Sequence, residues 1–145
     1  MPNILILGAG GYVAQPLAQS LVRSGNYSVF GLVRRQEQAK LLTQNEIFPI
    51  VADAGSTEVW SKVIEEHDID VIVDCASAYE HAGAILDTIV AAAKKRRDIL
   101  QKEGFAAPKL GFVYVRIHIE RYKSSAELFL PRPPEPGSTA LPASA

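Results

Sequence analysis

The residues with the clearest chemical potential stand at the start of the chain. There Ile4-Leu5-Ile6-Leu7 runs into Gly8-Ala9-Gly10-Gly11-Tyr12-Val13-Ala14. A turn without side chains lets bare main chain come close to an anionic group, and glycine also tolerates the bend. A helix starting directly after the turn adds unpaired N–H groups and the positive end of its dipole, a combination suited to a diphosphate. Two registers compete. Read as G-x-G-x-x-G, the pattern falls on Gly8, Gly10 and Val13, and the bulky third residue fits poorly. Read as G-x-x-G-x-x-G/A, it falls on Gly8, Gly11 and Ala14, all small. A small third residue lets the helix lie close to the strand, so the second register is the better one.

A second set of chemically able residues, Arg34 and Arg35, ends the apolar run from Ser28 to Val33. NAD-selective sites place a carboxylate at this point, about 20 residues after the glycines, to hold the ribose hydroxyls. No acid ends this run, and Glu37 is the nearest. A guanidinium grips a 2′-phosphate through two parallel hydrogen bonds, whereas a carboxylate repels it. The arginines therefore favour NADP, with NAD as the second choice.

These groups need elements to hold them, and hydrophobic periodicity supplies a set. Asn3 to Leu7 reads as a strand buried on both faces, followed by a helix between Gly11 and Ser24 with Val13, Ala14, Leu17, Ala18, Leu21 and Val22 at helical spacing. Pro16 is tolerated near the helix start. Ser28 to Val33 is the second strand, Gln36 to Thr43 a short helix, and Ile47 to Ala52 a third strand placed at an edge by Pro49. Ser56 is a candidate cap for a helix whose apolar face holds Val59, Trp60, Val63 and Ile64. Ile69 to Asp74 is a fourth strand. A long helix with the stripe Ala82, Ile85, Leu86, Ile89, Val90 and Ala93 follows, and Leu110 to Val115 is a fifth strand. Strand and helix alternate throughout. The predicted fold is therefore α/β, a Rossmann-type doubly wound parallel sheet with strand order 3-2-1-4-5.

Composition narrows the functional classes. The chain has 145 residues, of which 48% are hydrophobic, enough for the core of one domain. Its 15 basic and 16 acidic residues leave a net charge of -1, which gives no electrostatic footprint for nucleic acid or anionic lipid. One cysteine, Cys75, excludes an internal disulfide framework. No basic leader precedes the first apolar run, and no apolar stretch reaches membrane-spanning length, so the chain reads as soluble and cytoplasmic. Cys75 reads as an inert buried thiol, Trp60 as a core residue, and His67, Asp68 and Asp70 as solvated turn residues without metal-ligand spacing. Lys94-Lys95-Arg96-Arg97 is expected to complement the C-terminal end of a helix, and Glu80 and His81 to serve a helix start.

The segments "ILGAGGYVAQPL", "GLVRR", "VADAGS" and "VIVDCASA" together resemble the cofactor-side segments of extended or atypical short-chain dehydrogenases/reductases. That group includes the NAD-dependent epimerase/dehydratase family and the NmrA-like regulators. The resemblance covers about residues 3 to 115. It implies that Gly8, Ala9, Gly10, Gly11, Tyr12 and Val13 surround the diphosphate, with Arg34 and Arg35 at the adenosine phosphate. Asp53 matches an acid that contacts adenine, with the end of a strand as its plainer role. Ala76 and Ser77 match the stretch beneath the nicotinamide ribose, and Ser77 is also a candidate helix cap. A small carbonyl or sugar-like substrate is the implied partner of the full family domain; the alternative is an NADP-sensing regulatory protein that binds the cofactor without turnover, or a non-functional fragment.

Members of this group that perform chemistry use a Tyr-x-x-x-Lys pair, in which lysine lowers the tyrosine pKa for proton transfer. Tyr12, Tyr27, Tyr79, Tyr114 and Tyr122 are followed four residues later by Pro16, Gly31, Gly83, His118 and Ala126, so no such pair exists and no catalytic residue is assigned. The resemblance stops soon after "KLGFVYV". The expected organisation is a dinucleotide-binding domain over 1–119, lacking the catalytic half, and an irregular, Pro-rich disordered tail over 120–145. Val113, Val115, Ile117 and Ile119 alternate with Tyr114, Arg116, His118 and Glu120, the period of a half-exposed edge strand. Self-association through that edge is expected.

Overall fold

The computed structural model describes residues 1–106 and 109–115. Within them five strands form one parallel sheet: β1 (Asn3–Leu7), β2 (Ser28–Val33), β3 (Phe48–Val51), β4 (Val71–Asp74) and β5 (Gly111–Tyr114). Their order across the sheet is β3-β2-β1-β4-β5, as the alternation of elements predicts. The helices are α1 (Ala14–Arg23), α2 (Gln36–Gln44), α3 (Thr57–Glu66) and α4 (Ala82–Lys102), the last entered through a short 3-10 turn over Tyr79–His81. The expected tail over 120–145 and the alternation over 116–120 lie outside the described residues.

Each central strand is apolar without interruption because helices cover both of its faces. In β1, Leu5 and Leu7 enter one core with Phe30, Leu32, Ile72, Trp60 and Ile85. Ile4 and Ile6 enter the other with Ala14, Ala18, Val29, Val33 and Leu42. Helices α1 and α2 thus pack on one face, α3 and α4 on the other. Ala14 and Ala18 of α1 are completely buried. Their small size brings the helix against β1, the role the third position of the glycine pattern requires. Pro16 falls in the first turn of α1, where its missing N–H has no helical partner to lose.

Several local expectations need correction. Val59, Leu86 and Val90 are exposed, because α3 and α4 pack side by side over one face and need only part of their apolar stripes to cover it. Ser56 occupies the N-cap of α3 but its hydroxyl makes no capping bond. The bend before α3 is instead closed by Asp53, whose Oδ1 accepts the Gly55 N–H at 3.0 Å and whose carbonyl accepts the Ser56 N–H at 2.9 Å. The Lys94–Arg97 run lies inside α4, since the helix continues to Lys102. There Lys95 pairs with Glu65 of α3 at 2.7 Å. Arg96 donates to the Ile69 carbonyl at 2.6 Å and to Asp70 at 3.0 Å. Asp70 also accepts the Asn3 N–H at 2.9 Å, so it is a tie between β1, β4 and α4 rather than a solvated turn residue. His67 lies against Phe30, with ring centroids 4.8 Å apart. β5 is a four-residue edge with Phe112, Val113 and Tyr114 all exposed, so the alternation expected of a half-covered strand is not seen in Gly111–Tyr114.

Candidate functional site

Parallel strands in register deliver their following loops to one edge of the sheet. Leu7 sits beside Leu32 and Asp74, and Val33 beside Val51. The residues after them, Gly8, Arg34, Ala52 and Cys75, therefore emerge together. The chain winds outward from β1 to β3 and then returns to β4 on the other side of β1, opening a crevice beyond the carboxyl ends of β1 and β4. A cavity of about 610 Å³ occupies this edge, a size in the range of small-molecule sites.

Five segments line it. The turn after β1 gives Gly8, Gly10 and Gly11, the end of β2 gives Leu32, Val33 and Arg34, α2 gives Gln38, the segment after β3 gives Ala52, Asp53 and Ala54, and the β4–α4 connection gives Cys75 to His81. Of the residues singled out from sequence, the fold brings together Gly8, Gly10, Gly11, Arg34, Asp53, Ala76 and Ser77. Ala9, Tyr12, Val13 and Arg35 are not among the residues lining the cavity. Ala9 is buried and gives its N–H to the Leu32 carbonyl at 2.9 Å, so that group is already used. Tyr12 projects into solvent at 93% exposure. Arg35 stands at the N-cap of α2.

The three glycines of the turn have different reasons to be glycine. Gly8 has φ +73°, and a Cβ there would lie 2.5 Å from the Ala76 Cα across the β1–β4 crevice. At Gly10 a Cβ would meet the Gln38 side chain, with Nε2 2.5 Å away. Gln38 thus lies over part of the turn, a neighbour that sequence reasoning did not anticipate. Gly11 has neither constraint: its φ is ordinary, and the nearest atom to a Cβ would be the Gly8 oxygen at 3.3 Å. The bare surface at Gly11 is therefore explained neither by backbone conformation nor by a packed side chain. Among the described residues, the N–H groups of Tyr12 and Val13 meet no acceptor, and α1 begins at the next residue. Bare main chain, unpaired donors and a helix N-terminus are the elements of an anion cradle.

The other wall is held by fixed polar contacts. Trp60 is buried and donates its indole N–H to the Ala54 carbonyl at 2.9 Å, which anchors the loop carrying Asp53. Asp74, at the end of β4, is buried and accepts the Ala76 N–H at 3.0 Å. Burial raises its pKa above the ordinary 3.8, against the lowering effect of that hydrogen bond. Burial, and then the neighbouring Asp74 charge, push the Cys75 thiol upward, which disfavours the thiolate. The thiol borders the cavity and is only partly buried, a correction to its expected full burial. Ser77 has φ +52° and caps nothing, because Ala78 takes the N-cap of the 3-10 turn. His81 takes the N-cap of α4 without a side-chain capping bond. Gln38 stands in the first turn of α2, the helix that follows the Arg34 segment, and no pattern in the sequence marks it.

A family model described as NAD(P)H-binding matches residues 8–99, more than half of the chain. The chain belongs to this NAD(P)H-binding family. The match begins at Gly8 and spans the turn, both basic residues after β2, Asp53 and the β4–α4 connection. No curated protein matches the chain. Among solved structures it is similar to saccharopine dehydrogenase (L-Glu forming) from Saccharomyces cerevisiae, at 22% identity and TM-score 0.55, covering 63% of this chain and 20% of that one. dTDP-glucose 4,6-dehydratase from Bacillus anthracis, solved with NAD, gives 19% identity and TM-score 0.52, over 79% of this chain and 37% of that one. An isoflavone reductase gives 18% identity and TM-score 0.54, over 77% and 48%. These likenesses establish the shared fold, and the chain spans less than half the length of each. No described helix is long and apolar enough to cross a membrane.

Proposed function

We propose that the cavity binds a nicotinamide dinucleotide, NADP in preference to NAD, and that the chain is the cofactor-binding part of a short-chain dehydrogenase/reductase-like oxidoreductase or epimerase/dehydratase. The observation that carries the reading is the bare surface at Gly11, with the unpaired N–H groups of Tyr12 and Val13 beside it. The diphosphate docks there. The adenosine ribose then extends toward β2, where Arg34 lines the same cavity and no acidic residue lines the β2 side. The adenine reaches Asp53, whose Oδ2 is left over after Oδ1 has closed its own turn. The nicotinamide end runs over Ala76 and Ser77. Arg35, outside the cavity in this arrangement, adds positive potential at its rim. Tyr12 and Val13 contribute through their main chain, since Tyr12 directs its ring to solvent.

These residues serve cofactor binding, and the sequence given holds no Tyr-x-x-x-Lys pair to which proton transfer is assigned. A small carbonyl or sugar-like compound is the substrate class that fits the family's chemistry, and the cytoplasm is the compartment proposed. Association of two copies through the exposed β5 edge completes the proposal.

Calorimetric titration of the purified chain with NADPH and NADH tests it. NADPH binds more tightly, and Arg34→Ala weakens NADPH by about tenfold, as expected for an exposed guanidinium–phosphate contact, while sparing NADH. Absence of binding by either nucleotide in the millimolar range overturns the site. Tighter binding of NADH overturns the choice of NADP.

A further inference from the structure

We propose that His81 is a binding residue for the purine base of the dinucleotide, flanking it where the β3–α3 and β4–α4 connections meet; the inference rests on the reading of the cavity given above. His81 belongs to the connection between β4 and α4, yet its imidazole lies against Gly55, in the connection between β3 and α3. A Cβ on Gly55 would stand 2.8 Å from Nε2, 2.9 Å from Cδ2 and 3.0 Å from Cε1. The φ of Gly55 is ordinary, so the ring is the feature that excludes a side chain there. The ring thus bridges two loops that sequence separates by 26 positions and that only the strand order β3-β2-β1-β4 brings to one edge.

The position of the ring along the ligand follows from the strands. Arg34, at the end of β2, marks the adenosine ribose, and β3 is the next strand outward. The base beyond the ribose therefore lies over the β3–α3 connection. His81 and Asp53 both line the cavity there. Asp53 offers a carboxylate oxygen to an exocyclic amine, and the imidazole offers a flat aromatic surface and a polar ring edge. His81 stands at the N-cap of α4 but makes no capping bond, so its ring is not committed to the helix. Aromatic side chains stack on bases of any sequence because every base has a π-face.

Three variants of the full chain test this, each titrated with NADPH and with ADP. His81→Ala weakens both ligands by about tenfold, the loss typical of removing one base-stacking side chain. His81→Phe keeps a flat ring and stays within about threefold of the original protein, a rescue that a purely structural role would not give. Gly55→Ala keeps the histidine but drives its ring aside, and it weakens ADP as His81→Ala does. Thermal unfolding stays unchanged in His81→Ala, because the side chain is exposed. Unchanged ADP affinity in His81→Ala, or a His81→Phe protein as weak as His81→Ala, overturns the inference while leaving the cavity assignment standing. An original chain that binds neither NADPH nor ADP overturns both.

Discussion

Gly8 and Gly11 are both glycines of one turn, but substitution by alanine should separate folding from binding. At Gly8, an alanine would sit at φ +73°, where a Cβ costs roughly 1–2 kcal/mol. Its methyl would also lie 2.5 Å from the Ala76 Cα. That atom is main chain in a crossing loop and cannot rotate away, so β1 and β4 must separate at their carboxyl ends, a distortion of the kind that costs about 1–3 kcal/mol. The sum, about 2–5 kcal/mol, is a large share of the 5–15 kcal/mol typical of a domain. At Gly11 the φ is ordinary, and the nearest atom to the methyl is the Gly8 oxygen at 3.3 Å. The small crowding is offset by about 0.4–1 kcal/mol from a stiffer unfolded chain, so stability changes little. The methyl nevertheless stands on the surface where the diphosphate docks, and NADPH affinity should fall by about tenfold or more, the equivalent of about 1.4 kcal/mol. Urea unfolding followed by the fluorescence of the buried Trp60 reads the first quantity, and calorimetric titration the second. Gly8→Ala unfolding at the original urea midpoint, or Gly11→Ala binding NADPH with full affinity, would refute the division of roles.

Two further outcomes follow from the same geometry. Asp74 has a folded-state pKa above 3.8, so its contribution to stability is fully present below that value and is lost as pH rises through the raised one. Asp74→Asn, which retains an oxygen for the Ala76 N–H, should therefore stabilise the fold more at pH 8 than at pH 4, and equal gains at both pH values in chemical denaturation would contradict the burial argument. The β5 edge exposes Phe112, Val113 and Tyr114, so sedimentation should show concentration-dependent association that Val113→Lys suppresses; a clean monomer at high concentration would remove the case for pairing there.

Much of the architecture was legible because it is local. The central strands read as unbroken apolar runs, and their lengths came within a residue or two for β1, β2 and β3. Size alone favours the register Gly8, Gly11, Ala14, and Ala14 is completely buried against β1. Helix faces were less legible. Periodicity marks Leu86 and Val90 as apolar as surely as Ile85 and Ile89, yet only the latter pair is covered. Nothing in the α4 sequence says how much of the face its neighbour α3 already occupies. The place of the Lys94–Arg97 run in the sequence is ambiguous for a related reason: the helix continues past it to Lys102, and the partners of Lys95 and Arg96, namely Glu65, Ile69 and Asp70, lie outside α4.

By itself, then, the sequence determined the order of strands and helices, the side-chain-free turn after β1 and the cationic end of β2, each set by residues within a few positions of one another. Only the tertiary structure decided which loops share a wall. Gln38 over Gly10, His81 against Gly55 and Ala76 beneath Gly8 are meetings of segments distant in the chain. They depend on the parallel register and on β4 returning beside β1, because side chains on separate connections touch only once the strands beneath them have been ordered.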